Sequence, residues 1–195
     1  MSINILGGLA KGFSLVTPHD SITRPTSVLL KRRLFDYFQS FNGYDFIDIC
    51  AGSGSIGLEA ISRGAESACF IELNPKAYKV LQLNLKEFNK KYGEFNLKTS
   101  KLDFEKWLKQ FFQDYKAYSD EKKSSFILFF DPPYEKVQLY EKFFKILKEN
   151  SFSGIAVVEA CRQKTMKLEE FNQKFGEPDR NYQQGTSFLY LYDYN

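Results

Sequence analysis

The sequence contains few of the residues that build metal sites and disulfide frameworks. Its 195 residues include three cysteines and one histidine, and no two cysteines stand in a C-x-x-C spacing. This composition argues against a zinc site, and we expect a protein that binds no metal. Because the chain also lacks a long apolar run and a signal-type N-terminus, we expect it to be cytoplasmic and to make no contact with a membrane.

A large net charge is also absent. The chain has 27 lysines and arginines against 24 aspartates and glutamates, a formal net charge of +3. However, residues 1–33 hold five cations and one anion, and such a basic segment is suited to contact a phosphate backbone. On charge alone, the run Lys31-Arg32-Arg33 fits a solvated helix face equally well.

Strand-like and helix-like patterns alternate along the chain from residue 46 onwards. The uninterrupted apolar run at residues 126–130 is typical of a central parallel strand. The alternation predicts an α/β fold in which helices cover both faces of a parallel sheet. We further expect a surface loop at 118–125 and a hairpin-like pairing of 174–176 with 187–192. Length and a hydrophobic content of 43% favour one domain, residues 1–195, and a monomer.

A glycine turn follows the first strand of this alternating region. Gly52, Gly54 and Gly57 have the spacing G-x-G-x-x-G, in which glycine permits a sharp turn and close approach of a ligand to the backbone. NAD enzymes share this spacing, and a tight strand–helix turn without a ligand also fits it. Asp48 precedes the turn, where an anion suits a cationic amino-acid group and would repel a dinucleotide. Glu72 ends the next strand and is placed to accept hydrogen bonds from both hydroxyls of a ribose.

An acid also follows the third strand of this region. Asp103 is placed to accept a hydrogen bond from the amino group of an adenine, with Leu102 or Phe104 beside the ring. Asp103 equally suits the N-cap of a helix that begins at Phe104. The two roles are compatible.

The motif Asp131-Pro132-Pro133-Tyr134 follows the apolar run at 126–130. It therefore lies at the carboxyl edge of the predicted sheet, where open α/β sheets bind ligands. The Asp131 carboxylate and the Pro132 carbonyl are suited to accept hydrogen bonds from an exocyclic amino group, and Tyr134 to stack on an unstacked base. An ordinary turn at the end of a strand is the alternative. Together with the glycine turn, the motif indicates S-adenosylmethionine-dependent methylation of such an amino group.

These motifs resemble those of the RsmD-type bacterial methyltransferases, which modify guanine N2 in small-subunit (16S) ribosomal RNA. The specific part of the resemblance is the string from Asp48 to Ala65, followed by the D-P-P-Y motif. Weaker similarities are found at 5–8, at Arg24-Pro25-Thr26 and at Gly185-Thr186. Asn4 and Phe13 stand where the family tends to carry arginines, and Arg32 replaces a usual acid, which bears on RNA affinity more than on chemistry.

The resemblance implies a Rossmann-like class I methyltransferase fold. Such a fold has a mostly parallel seven-stranded sheet with helices on both faces, a C-terminal antiparallel strand and here a short N-terminal extension. The extension and its helix would occupy residues 1–41, and the catalytic core residues 42–195. The implied cofactor is S-adenosylmethionine, and the implied partner is small-subunit ribosomal RNA or the assembling small ribosomal subunit.

The predicted site has three groups of residues. The catalytic group is Asp131, Pro132, Pro133 and Tyr134. The cofactor-binding group is Arg24, Thr26, Asp48, Ala51, Gly52, Ser53, Gly54, Gly57, Glu72, Leu73, Asp103 and Phe104. The RNA-binding group is Lys11, Arg24, Lys31 and Arg32. The resemblance implies that the segment with Arg24 and Thr26 folds over the cofactor and helps to grip the RNA.

Three other functions are compatible with parts of the sequence. The D-P-P-Y motif also serves methylation of adenine N6 in DNA, although 195 residues leave no separate target-recognition domain. A non-catalytic RNA-binding protein on a methyltransferase scaffold would not need Asp48, Glu72 and Asp131 together. An NAD enzyme would bind a dinucleotide and leave Asp131 without a role.

Overall fold

The computed structural model describes residues 2–18, 28–162 and 167–195. Arg24 and Thr26, predicted above to contact cofactor and RNA, lie outside the described residues. The strands are β1 (Ser2–Asn4), β2 (Ser14–Val16), β3 (Asp45–Ile49), β4 (Ser67–Ile71), β5 (Leu97–Ser100), β6 (Phe126–Phe130), β7 (Ile155–Cys161), β8 (Arg180–Gln184) and β9 (Ser187–Asp193). The helices are α1 (Val28–Phe38), α2 (Ser55–Ser62), α3 (Pro75–Tyr92), α4 (Phe104–Tyr115), α5 (Asp120–Ser124), α6 (Val137–Glu149) and α7 (Leu168–Phe175).

Seven of these strands form one sheet in the order β5-β4-β3-β6-β7-β9-β8. The five strands β3 to β7 are parallel to one another, whereas β9 is antiparallel to both of its neighbours, β7 and β8. The predicted mostly parallel, seven-stranded α/β fold with a C-terminal antiparallel strand is therefore confirmed. The strands β1 and β2 form a separate antiparallel hairpin.

Helices cover both faces of the sheet, as the sequence predicts. One apolar cluster includes Leu34 of α1, Leu58 of α2 and Leu81 of α3. The cluster on the other face includes Leu108 of α4 and Phe143 of α6. The central strand β6 contributes alternate residues to the two clusters and is buried along its whole length, which explains its uninterrupted apolar sequence.

The order of strands reverses between β3 and β6. From β3 the chain proceeds outwards through β4 and β5 on one side, and then returns to place β6 and β7 on the other. Ile49 and Phe130 pair at the carboxyl ends of β3 and β6, and the Asp131 N–H donates to the Ile49 carbonyl at 3.2 Å. Such a switch point is where open α/β sheets form their binding crevice.

The N-terminal hairpin packs against α2. The backbone N–H groups of Leu6 and Gly7 donate to the Glu59 carboxylate at 2.7 and 2.8 Å. Gly8 has φ +71°, and a Cβ atom there would stand 1.8 Å from the Ser62 carbonyl oxygen. Only glycine permits both this dihedral angle and this close approach at position 8. Gly7 and Gly8 therefore form the surface of the hairpin that contacts α2.

Two local predictions are wrong. The expected loop at 118–125 contains the short helix α5, capped by the Ser119 hydroxyl, which accepts from the Lys122 N–H at 3.2 Å. The expected strand at 174–176 is the end of α7, whose Phe171 and Phe175 pack one turn apart against Tyr140. The C-terminal hairpin pairs β8 with β9 instead.

Within the described residues, no helix is both long and apolar enough to cross a membrane. The same residues contain no cluster of three histidine, cysteine, aspartate or glutamate side chains arranged to hold a metal ion.

Candidate functional site

The glycine turn connects β3 to α2 in a left-handed backbone. Gly52 and Gly54 have φ values of +56° and +80°, and Cys50 also adopts a positive φ of +66°. Left-handed backbone is uncommon for a residue with a side chain and is found most often at functional sites. The N–H groups of Cys50 and Ala51 both donate to the Ile71 carbonyl, at 2.9 and 3.0 Å, which fixes the turn to the end of β4.

Two glycines of the motif, Gly54 and Gly57, are also required for packing. A Cβ atom on Gly54 would lie 2.6 Å from Leu81, and one on Gly57 would lie 2.4 Å from Phe70. Both distances are shorter than real side chains tolerate, so α2 approaches β4 and α3 as closely as it does because these positions lack a side chain. Ser53, between Gly52 and Gly54, is also buried, at 8% exposure.

Asp48 lies beneath the turn, at the N-terminus of α2. It is buried, and its carboxylate accepts a hydrogen bond from the Gly57 N–H at 2.9 Å. Burial raises the pKa of Asp48 to about 7, although the Gly57 N–H favours the charged form. One of its oxygens is therefore engaged in holding the turn. The predicted contact of Asp48 with a cofactor stays a prediction.

Glu72 follows β4 and binds two backbone segments at once. Its carboxylate accepts from the Gly52 N–H at 2.8 Å and from the Asn74 N–H at 2.7 Å. A carboxylate has about four lone-pair positions, so each oxygen retains capacity for another donor such as a ribose hydroxyl. The next residue, Leu73, is 59% exposed, which leaves an apolar surface beside the acid.

Asp103 caps α4, as one of its two predicted roles requires. Its carboxylate accepts from the Glu105 N–H at 2.9 Å. Phe104 is buried against Phe130, with ring centroids 5.0 Å apart. Through this contact the start of α4 is packed against the strand that carries the D-P-P-Y motif.

The D-P-P-Y motif lies where the sequence predicts, at the carboxyl end of β6. Asp131 is half-buried, and within the described part of the chain its carboxyl group has no hydrogen-bond donor or ion-pair partner. Burial raises the pKa of Asp131 well above its usual range, and the nearby Glu159 and Asp48 carboxylates add to this effect. The Pro133 carbonyl accepts from the Lys136 N–H at 3.0 Å, which closes the loop that follows the motif.

Sequence reasoning missed Glu159, which lies in β7. Its carboxylate is 1% exposed and accepts a hydrogen bond from the Tyr134 hydroxyl at 2.7 Å. Phe130 pairs with Val158, so Glu159 is the residue that follows on the strand next to Asp131. The available signal was an acid near the end of an otherwise apolar strand.

The prediction that Lys31 binds RNA is contradicted by its surroundings. Lys31 is 2% exposed, and its ammonium group lies 3.2 Å from the Glu59 carboxylate and donates to the Ser55 carbonyl at 2.9 Å. Burial lowers its pKa, and the attraction of Glu59 opposes this shift. Arg32, by contrast, is exposed, and so is Lys11 in the N-terminal hairpin.

Phe13, one of the expected departures from the family pattern, has a packing role in the structure. Its ring contacts Phe88 and Tyr92 of α3 edge-on, at centroid distances of 5.5 and 5.6 Å. The Lys91 ammonium lies 5.6 Å from the centre of the same ring. These contacts attach the hairpin to α3.

The sheet topology, the glycine turn at the end of β3 and the adjacent D-P-P-Y motif define a class I, Rossmann-like methyltransferase. The family model described as "Conserved hypothetical protein 95" matches residues 3–193. The chain belongs to this family, the RsmD-type methyltransferases, and the resemblance seen in the sequence is confirmed.

Two relatives and two solved structures illustrate the similarity. The ribosomal RNA small subunit methyltransferases D of Buchnera aphidicola (from Acyrthosiphon pisum) and Haemophilus influenzae are each 30% identical to this chain. The aligned regions cover 77% of this chain in both cases, and 75% and 72% of those proteins. A hypothetical protein from Thermus thermophilus superposes with a TM-score of 0.73 at 25% identity, covering 98% of this chain and 99% of that one. A putative methyltransferase from Escherichia coli gives a TM-score of 0.72 at 23% identity, covering 98% and 97%.

Proposed function

We propose that this protein transfers a methyl group from S-adenosylmethionine to the exocyclic N2 amino group of a guanine in small-subunit (16S) ribosomal RNA. The observation that carries the proposal is the position of the Asp131 carboxyl group. It lies at the end of β6, beside the glycine turn that ends β3, and lacks a donor within the described residues. The names of the two ribosomal RNA methyltransferases above support RNA as the substrate.

The residues around the turn fit S-adenosylmethionine. The positive φ values at Gly52 and Gly54 expose backbone to a close ligand. Glu72 has capacity for the two ribose hydroxyls, and the exposed Leu73 offers an apolar surface for the adenine ring. Asp103 is suited to accept from the adenine amino group while it caps α4. Asp48 keeps the turn in shape and adds negative charge that favours a cationic ligand.

The chemistry requires acceptors for the amino group. S-adenosylmethionine supplies an electrophilic methyl group on a sulfonium. The Asp131 carboxylate and the Pro132 carbonyl accept hydrogen bonds from the two amino hydrogens, which directs the nitrogen lone pair towards that methyl. When the carbon–nitrogen bond forms and the methyl–sulfur bond breaks, leaving S-adenosylhomocysteine, the nitrogen would become positively charged and the same acceptors would stabilise that charge. Asp131, whose pKa is raised by burial, would then be suited to take up the proton that the methylated amino group loses.

Tyr134 is suited to hold the base. Its hydroxyl is fixed by Glu159, so the ring has a defined orientation next to Asp131. An unstacked guanine would lie on this ring and present its amino group to the carboxylate. Exposed Lys11 and Arg32 are suited to contact the phosphate backbone.

The test is transfer of labelled methyl from S-adenosylmethionine to 16S ribosomal RNA and to assembled small subunits from a strain that lacks the gene, followed by nucleoside analysis. We expect label in N2-methylguanosine. Asp131→Ala should abolish transfer, with cofactor affinity within a few-fold of wild type. Label in N6-methyladenine of DNA would replace the proposed substrate, whereas full activity of Asp131→Ala would contradict the proposed mechanism. Cofactor-independent RNA binding without transfer would indicate the non-catalytic scaffold.

A further inference from the structure

Asn84 of α3 joins two segments that are distant in sequence. Its Nδ2 donates to the Ser53 carbonyl at 2.8 Å and to the Val16 carbonyl at 2.9 Å, and its Oδ1 accepts from the Val16 N–H at 3.0 Å. Ser53 belongs to the glycine turn, and Val16 ends the second strand of the N-terminal hairpin. A single side chain therefore connects the cofactor turn with the N-terminal extension.

These three hydrogen bonds allow the Asn84 side-chain amide only one orientation. Two carbonyls require the NH₂ group and one N–H requires the oxygen, so a flipped amide would oppose like atoms at three contacts. Asn84 is 3% exposed, and its three partners are backbone groups. Loss of the side chain would leave the carbonyl of the buried Ser53 without this donor, and would release the backbone of Val16, which is partly exposed.

We propose that Asn84 is a positioning residue that fixes the glycine turn and makes cofactor binding and RNA binding depend on each other. The second part rests on the proposed function, because it assigns RNA contacts to the N-terminal extension. Lys11 lies in the hairpin that Asn84 holds, and Arg24 follows Val16 by eight residues. RNA bound to Lys11 would favour the hairpin position in which Val16 bonds to Asn84, and through Asn84 it would favour the bonded position of the Ser53 peptide. Linkage then requires the cofactor to strengthen RNA binding by the same factor.

The experiment measures the Kd of S-adenosylmethionine by calorimetry, with and without 16S ribosomal RNA, for the full chain, three single variants and the double variant Asn84→Ala/Val16→Pro. Asn84→Ala removes the connection, and Val16→Pro removes the N–H that Oδ1 accepts while leaving α3 and the turn unchanged. Asn89→Ala, on the same helix, is the matched control. Steady-state rates separate KM from kcat, and thermal unfolding of each variant reports stability.

We expect Asn84→Ala to weaken cofactor binding about 10-fold and to raise its KM without changing kcat at saturation. RNA should tighten cofactor binding in wild type and in Asn89→Ala by a factor in the usual range of about 5–150, and should have no effect in Asn84→Ala. Val16→Pro removes one of the three bonds and keeps the two that Asn84 Nδ2 donates, so it should show both changes to a smaller extent. The double variant should be no weaker than Asn84→Ala alone.

Unchanged cofactor affinity with a lower unfolding temperature in Asn84→Ala would overturn the proposal and leave only a structural role. If Asn84→Ala does not fold, the test rests on Val16→Pro. A cofactor affinity of Val16→Pro equal to that of wild type would mean that the hairpin does not influence the turn. If wild type binds no RNA, the proposed function fails and so does the coupling. The effect of Asn84→Ala on cofactor binding then still decides the positioning role.

Discussion

The Lys31 ammonium and the Glu59 carboxylate lie 3.2 Å apart, with side-chain exposures of 3% and 0%. Glu59 also accepts from the Arg63 guanidinium at 2.9 Å and from two N–H groups of the N-terminal hairpin. These donors replace the water that the Glu59 carboxylate would bind on the surface. Through them Glu59 connects α1, α2 and the hairpin.

Lys31→Met should therefore destabilise the protein rather than weaken RNA binding directly. Without Lys31 the buried Glu59 keeps Arg63 as its only cation within the described residues, and the Ser55 carbonyl loses its Lys31 donor. We therefore expect a loss of about 1–3 kcal/mol in the free energy of unfolding. Urea denaturation measures it. Arg32→Met, one residue along and exposed, is the control and should stay within about 0.5 kcal/mol of wild type. Equal stability of the two variants would show that the ion pair contributes nothing.

Arg32→Glu should change the salt dependence of RNA binding. If Arg32 contacts one phosphate, its reversal reduces the slope of log K against log salt concentration by about 1. Filter binding to 16S ribosomal RNA at several salt concentrations measures the slope. Lys148→Glu makes the same charge change at an exposed position of α6 and should leave the slope unaltered. A slope common to wild type and both variants would remove Arg32 from the RNA interface.

Glu72→Ala should weaken S-adenosylmethionine binding by about 1–3 kcal/mol, because charge-assisted hydrogen bonds to the ribose and to the Gly52 N–H are both lost. Calorimetric titration measures the change. Glu66→Ala is a suitable control, since Glu66 is exposed and accepts only from the surface Gly43 N–H at 3.1 Å. Wild-type affinity in Glu72→Ala would contradict its assignment to the ribose.

Asp48 should make stability depend on pH. Its pKa is raised to about 7 in the folded protein, against about 3.9 in an unfolded chain. The folded state therefore binds an extra proton between these values, so this contribution to stability is fully present below pH about 4 and lost as pH rises through about 7.

Asp48→Asn keeps an oxygen acceptor for the Gly57 N–H and removes the titration. Urea denaturation at pH 5 and pH 8 should show wild type losing about 2–3 kcal/mol more than the variant over this interval. Parallel losses in the two proteins would mean that Asp48 titrates normally in the fold.

The fold could be predicted from the sequence where the signal is local. The apolar run of β6 and the three glycines of the turn specify their structure within a few residues, and the site follows because parallel strands place their carboxyl ends together. Lys31 was misassigned because its partner Glu59 is 28 residues away and a basic triplet gives no sign of burial. Asn84 and Glu159 were missed for a related reason, since their partners are brought to them only by the sheet topology.

The short helix α5 and the end of α7 were misjudged on different grounds. In α5 no residue is buried, so it has no apolar periodicity, and capping by Ser119 is its main local signal. In α7, Phe171 and Phe175 lie one helical turn apart, but a short segment with two aromatics and a following glycine also fits a strand.

The N-terminal hairpin is synthesised well before the segments that it contacts. Leu6 bonds to a residue 53 positions further on, and Val16 to one 68 positions further on. At a translation rate of about 5–20 residues per second, Val16 waits roughly 3–14 s for Asn84 to be added. During that interval Ile5 and Leu15, which are buried in the finished protein, stay uncovered on the nascent chain, so the ribosome exit site and its chaperones are the first surfaces they can meet.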